Sequence, residues 1–173
     1  MPDSYGSVQA ADAYHAARGN TAWTGDDMAK QAALIRASAY IDGRYRKQFP
    51  SGRWESLFPG AKTEGRGQIR EWPRADAVDY TGAALPTDEV PIEVEYATYE
   101  AALRELAAPG SLSPDFVASS LIKSEKVGPL ETTYAVPEAN TGAAASRPVI
   151  TIIDEIIAPV LVARFTMPAV LVI

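Results

Sequence analysis

The stretch from Pro91 to Leu106 sets the frame for the rest of the chain. Ile92, Tyr96, Tyr99, Leu103 and Leu106 step by four, three, four and three, which lines them up as one stripe on a helix of 3.6 residues per turn. Pro91 reads as the first helical residue, where its missing N–H costs nothing. Asp88 and Glu89 precede it, and Pro109-Gly110 stops the helix. A helix with a single apolar stripe has to bury that stripe against other elements. The question for the remaining sequence is what covers it.

Two helices upstream are expected to do so. Ser7 is placed to cap a helix running to about Arg18, with Val8, Ala11 and Tyr14 near helical spacing and Gly19-Asn20 past its end. Thr24 is placed to cap a second helix that runs to about Lys47, with Asp26 and Asp27 in the first turn, where the helix dipole favours negative charge. On this helix Met28, Ala32, Ile35, Ala39 and Asp42 mark one stripe, and Leu34, Ser38, Ile41 and Tyr45 its flank. Arg44, Arg46 and Lys47 close it at the negative end of the dipole.

Residues 48–90 form a long connection rich in Gly, Pro and aromatic residues. Connections of this length without regular structure are usually functional or disordered. Trp54, Phe58 and Trp72 argue for order, because disordered segments are poor in aromatics. The expectation is an ordered loop in which Trp72-Pro73-Arg74 packs back on the helices, with a mobile tip near residues 63–68.

Beyond the third helix, Leu121 to Ala135 reads as a β-hairpin. Leu121, Lys123, Glu125 and Val127 alternate with Ile122, Ser124 and Lys126, and Gly128-Pro129 marks the reversal before Leu130. A lone two-stranded hairpin is marginal in water, so it needs the helices or a neighbouring subunit for support. The apolar run from Ile150 to Phe165 follows, in which Ile153, Ile156, Ile157, Val160 and Leu161 form one helical face and Pro159 ends or kinks the helix. The last stretch, PAVLVI, is apolar and uncharged, and such a tail in a free monomer is an aggregation hazard.

These readings give a mainly α fold. It is a small helical bundle with one β-hairpin, a long ordered loop and an extended C-terminal segment. The domain covers residues 1–162, and residues 163–173 form an apolar docking tail. The length of 173 residues suits one domain with extensions. No window approaches the roughly 18 apolar residues of a membrane span, and the N-terminus has neither the basic region nor the apolar core of a signal peptide.

Composition excludes more chemistry than it suggests. There is no cysteine, which removes disulfides, thiol catalysis and cysteine metal sites. The only histidine, His15, lies within the first helix. A lone helical histidine reads as a surface or packing residue, and no GxSxG elbow is present to build a triad around it. Zinc needs three or four ligands that this chain does not supply. Gly65-Arg66-Gly67 lacks the frame of a phosphate loop and reads as a flexible turn. No enzymatic activity and no cofactor are expected.

The net charge of −6 is unevenly spread. Arg44 to Arg74 carries eight basic residues against three acidic ones, and Ala75 to Asp115 carries nine acidic residues against Arg104 alone. Such blocks are either solvated faces or complementary patches between subunits or partners. Aromatics interleaved with basic residues, here Tyr45, Phe49, Trp54, Phe58 and Trp72, can stack bases while the cations track phosphates. The same residues also read as core and loop anchors with solvated charges.

Three motifs together resemble a known family: SYGSVQAADAYHAARGNTAW at the N-terminus, REWPR followed by LPTDEVPIEVEYATYEAALREL, and IKSEKVGPLETTY. They are similar to small phage proteins described as DnaT-like single-stranded-DNA-binding, whose members resemble head–tail connector adaptors of long-tailed bacteriophages. The resemblance covers roughly Ser4 to Pro159. It implies a structural virion protein at the neck, present in the host cytoplasm during assembly. It also implies a homo-oligomeric ring, commonly of twelve copies, beneath the portal protein, presenting a surface to a stopper or tail-terminator protein. DNA would pass through the ring without sequence-specific binding, and no membrane is involved. On this reading Arg164, Phe165, Met167, Val170, Leu171 and Ile173 are expected to dock on the portal. Lys123, Lys126, Val127, Gly128, Pro129 and Leu130 are expected to contact a neighbouring subunit or the neck. Arg53, Lys62, Arg66 and Arg70 are expected to face the DNA channel. The alternative is a single-stranded nucleic-acid-binding module built on the basic segment.

Overall fold

The computed structural model of the protein describes residues 3–115, 124–127, 130–133 and 147–162. The first helix, α1, spans Val8–Ala17, and the Ser7 side chain accepts the Ala10 N–H at 3.2 Å, as a cap should. The second, α2, spans Asp27–Arg44. Its cap is Asp26, which accepts the Ala29 N–H at 2.7 Å, so the helix starts two residues after the expected Thr24. It ends three residues before the expected Lys47, because Arg46–Gln48 form a strand, β1, that pairs antiparallel with β2, Trp54–Ser56. Next come β3, Ala61–Lys62, and β4, Arg74–Ala75, which pair with each other. The third helix, α3, spans Ile92–Ala107, with Pro91 as the residue just ahead of it.

Ser124–Val127 and Leu130–Thr133 form β5 and β6, antiparallel in the register Ser124↔Thr133 to Val127↔Leu130. This is the core of the expected hairpin; its outer residues, including Lys123, Gly128 and Pro129, lie outside the described residues. The last helix, α4, spans Thr151–Ile157 and passes into a 3-10 turn, Ala158–Val160, that contains Pro159. The stop at Pro159 follows from its missing N–H and the clash its ring makes in a continued helix.

The expectation of a small helical bundle is corrected. Among the described residues the fold is a mixed α/β domain of four α-helices and three two-stranded antiparallel sheets; β3–β4 lies wholly, and β1–β2 partly, in the segment expected to be irregular. Strands of two or three residues are too short to carry a period-2 signal. Their origin lies in backbone bonding: a segment laid over a core must find partners for its N–H and C=O groups. Pairing β3 with β4, and the isolated bridge between Val78 and Ala84, supplies some of them.

Helix α3 is the central element, packed on α2 and α4 and touched by α1. Two large neighbours require a wide buried face. Val94, Ala97, Thr98, Ala101 and Ala102 occupy it, their small side chains letting the helices approach closely. The bulky stripe read from the sequence is displaced to the edges: Tyr99 is buried, Tyr96, Leu103 and Leu106 are half-buried, and Ile92 is exposed. The same rotation affects α2. Its buried face is Ala33, Leu34, Ala37, Tyr40 and Ile41, whereas Met28 is 84% exposed. Ile153, Ile157 and Val160 complete the core from the C-terminal side.

Candidate functional site

The polar centre of the molecule joins its first residues to the REWPR segment. Tyr5 is buried, and its backbone N–H donates to Ser38 Oγ at 2.9 Å. Its hydroxyl donates to Asp42 Oδ1 at 2.5 Å and accepts the backbone N–H groups of Glu71 and Trp72 at 3.0 and 3.1 Å. Burial, with the Asp42 carboxylate beside it, pushes the Tyr5 hydroxyl well above its ordinary pKa. Burial also raises Asp42, although the Tyr5 hydroxyl and Arg70 partly offset it.

Arg70 and Arg74 do internal work. Arg70 is buried, donates to the Asp3 and Ile35 carbonyls, and sits 3.6 Å from Asp42 Oδ2. Arg74 donates to the carbonyls of Pro59, Gly60 and Glu71 and pairs with the Glu71 carboxylate at 2.8 Å. Glu71 also faces Arg46 at 3.1 Å and Lys62 at 3.4 Å. Burial alone would raise the Glu71 carboxyl, but Lys62, Arg46 and Arg74 together hold it below its usual value. Trp72 is 1% exposed and packs edge-on against Phe58. The WPR segment is therefore ordered, with Trp72 in the core beside Phe58 and Arg74 tied to carbonyls of the same long connection.

This arrangement decides how much of the basic segment is free. Arg44 is held by Asp154 through two hydrogen bonds, at 2.8 and 2.5 Å. Arg46, Lys62, Arg70 and Arg74 are held as described. Of the four residues expected to face a DNA channel, Arg70 is buried within the polar centre, and Lys62 is tied to Glu71 and to the Gln68 carbonyl. Arg53 and Arg66 are exposed and make no ion pair among the described residues. The aromatics divide in the same way: Tyr45, Phe58 and Trp72 are buried, Phe49 is half-buried and Trp54 is 59% exposed. The basic track that the nucleic-acid alternative needs over 44–74 is thus reduced, among the described residues, to Arg66 and one exposed element, the β1–β2 hairpin, with Lys47 and Arg53 as its free cations.

Antiparallel pairing sorts the side chains of that hairpin. Opposite residues share a face, so Gln48 and Trp54 project to one side, and Lys47 and Glu55 to the other. The Phe49 N–H donates to the Arg53 carbonyl at 2.8 Å, extending the ladder by one pair on the Lys47 side. The Lys47 ammonium lies 5.0 Å from the centre of the Phe49 ring. Beside the hairpin base is an open cleft of about 630 Å³ lined by Arg44, Arg46 and Lys47 together with Tyr80, Leu161 and Val162. Tyr80 is 70% exposed, and its backbone is fixed by an N–H bond to the Pro159 carbonyl at 2.9 Å. The Val162 N–H donates to the Leu57 carbonyl at 2.8 Å, which closes the other wall. Sequence reading missed Tyr80, Leu161 and Val162 as surface residues, because their juxtaposition arises only from the long-range pairing of 57, 80 and 159–162.

His15 is buried, stacked near Trp23 and edge-on to Tyr14, with Nδ1 3.0 Å from the Asn20 amide nitrogen. These contacts are those of a residue packed in the core. Among the described residues no group of three acidic or imidazole side chains is placed to hold a metal ion. No helix there is long and apolar enough to cross a membrane. The expected portal-docking residues, Arg164 to Ile173, lie outside the described residues, as do Lys123, Gly128 and Pro129 of the second hairpin. Lys126, Val127 and Leu130 lie on β5 and β6, so their positions in the ladder are fixed.

A family model described as "Putative DnaT-like ssDNA binding protein" matches residues 2–172, nearly the whole chain. No curated protein matches, and no solved structure matches.

Proposed function

The chain belongs to this DnaT-like ssDNA binding protein family, and from the three motifs that resemble connector adaptors we propose that it is a non-catalytic assembly protein, an adaptor ring of the head–tail connector of a tailed bacteriophage. The observation that carries the reading is the Tyr5 hydroxyl. It gathers the N-terminal SYGSV segment, Asp42 of α2 and the REWPR segment into one buried knot. Two of the three motifs that carry the connector resemblance therefore hold the body together. A body locked in this way suits a part that presents surfaces to its neighbours. Copies in a ring meet through a heterologous interface that closes on itself, and many weak contacts repeated around it hold the assembly. The test is the mass in solution by light scattering, with and without purified portal protein. A chain that is monomeric alone and stoichiometric on the portal supports the reading. A chain indifferent to portal overturns it.

The second reading is a single-stranded nucleic-acid-binding module, and the family description speaks for it directly. In its favour within the molecule, Lys47 and Arg53 are free of internal partners among the described residues, and Tyr80 and Trp54 are exposed beside them. Against it, most cations of the basic segment are engaged in internal pairs. The two readings are compatible in a ring through which DNA passes, touched but not gripped.

A further inference from the structure

We infer that the Lys47 face of the β1–β2 hairpin and the adjoining Tyr80 cleft form a short single-strand contact site, with Lys47 and Arg53 on phosphates and Phe49 and Tyr80 under bases. The inference rests on the nucleic-acid reading and assigns it a place. Three observations converge there. The hairpin ladder puts Lys47, Phe49 and Arg53 on one face. That face borders a cleft whose rim carries the exposed ring of Tyr80. The carboxylate within the cleft, Asp154, is neutralised by Arg44 and by the Tyr45 hydroxyl, which donates to it at 2.6 Å. Glu55 is the one uncompensated acid on the hairpin face, opposite Lys47.

Charge and ring chemistry together select the occupant. An acidic or apolar peptide would use the cations or the rings alone, whereas a single strand uses both, because every base has a face that stacks on an aromatic ring. A duplex would have its bases already stacked and would leave Phe49 and Tyr80 unused. With only two free cations the site neutralises about two phosphates. The slope of log affinity against log salt for a single strand is then about −1.4, far shallower than for a dedicated binder. Trp54 projects from the opposite face of the same hairpin and lies outside the site.

The experiment is fluorescence anisotropy of a labelled oligothymidylate with the full chain at low salt, repeated over a salt series. Wild type is expected to bind weakly with the shallow slope. The Lys47→Glu/Arg53→Glu variant is expected to lose at least tenfold in affinity, as is Phe49→Ala/Tyr80→Ala, while Trp54→Ala and Arg66→Glu bind as wild type does. All of these positions are exposed or half-buried, and an unchanged thermal midpoint verifies the fold. If wild type binds no strand at all, the nucleic-acid reading itself fails. If wild type binds and both double variants bind equally well, the reading stands and this site is wrong. If Trp54→Ala or Arg66→Glu alone abolishes binding, the strand lies elsewhere and the assignment is overturned.

Discussion

The Tyr5 hydroxyl joins three separate stretches of the chain at one buried point. Replacing it with Phe keeps the ring in place and removes one oxygen. Asp42 Oδ1 then keeps only the long bond from the Glu71 N–H at 3.4 Å, and the Trp72 N–H loses its acceptor, in a buried setting. Unsatisfied buried groups cost about 1–3 kcal/mol each, less whatever relaxation recovers. Tyr5→Phe is therefore expected to lower the stability by about 2 kcal/mol, read as a lower urea midpoint at unchanged slope. His15 sets a second expectation. Burial lowers its pKa below the ordinary 6.5, with Glu100 only partly opposing. The unfolded chain then binds the proton more readily than the folded one just below that value. Stability is fully present above pH 6.5 and falls as the pH drops toward the lower folded pKa. Burial also raises the Asp42 and Glu95 carboxyls, so urea midpoints measured between pH 6.5 and 5 report the His15 share as the difference between wild type and a variant without the imidazole. His15→Phe is expected to flatten the slope in that window.

The elements differ in how far they were legible. Ser7 as a cap, the span of α3 and the stop at Pro159 follow from local chemistry, and the structure has them. The orientation of α2 was misread because Met28 to Ala39 forms a plausible stripe by itself. The actual buried face depends on packing against α3: Ala33 and Ala37 are buried on α2, and Ala97 and Ala101 on α3. The short strands were invisible for a related reason: β3 pairs with β4 across twelve residues, and nothing in ALA-LYS or ARG-ALA encodes a partner. The basic segment left solvated charges and a nucleic-acid track both open, because sequence counts charges but does not pair them. Glu71 alone engages three of its cations. The β5–β6 hairpin was legible from its alternation and Gly-Pro reversal, and it defines the prediction that belongs to this scale. If it contacts a neighbouring subunit, Lys123→Glu/Lys126→Glu is expected to cut assembly on the portal several-fold and to lower virion yield. Unchanged yield would place the interface elsewhere.

The whole molecule has a net charge of −6, and its described residues show few free cations and several exposed apolar side chains, among them Met28, Ile69, Tyr80 and Val149. Repulsion between like-charged copies favours a monomer at low salt, and a portal surface that gathers the copies would offset it. The light-scattering experiment is therefore expected to show assembly that depends on portal and strengthens with moderate salt. A ring formed by the chain alone would mean that its apolar contacts suffice. The same global pairing has a consequence for how the protein is made. Tyr5 finds its partners only when residues 71 and 72 exist, and Arg44 finds Asp154 only 110 positions later. Contacts of such separation make folding slow for a chain with this much helix. During synthesis α3 leaves the ribosome before the α4 residues that cover it have been translated. The nascent chain thus carries an open apolar face for seconds at ordinary elongation rates, a natural client for a holdase until Ile153 and Ile157 arrive.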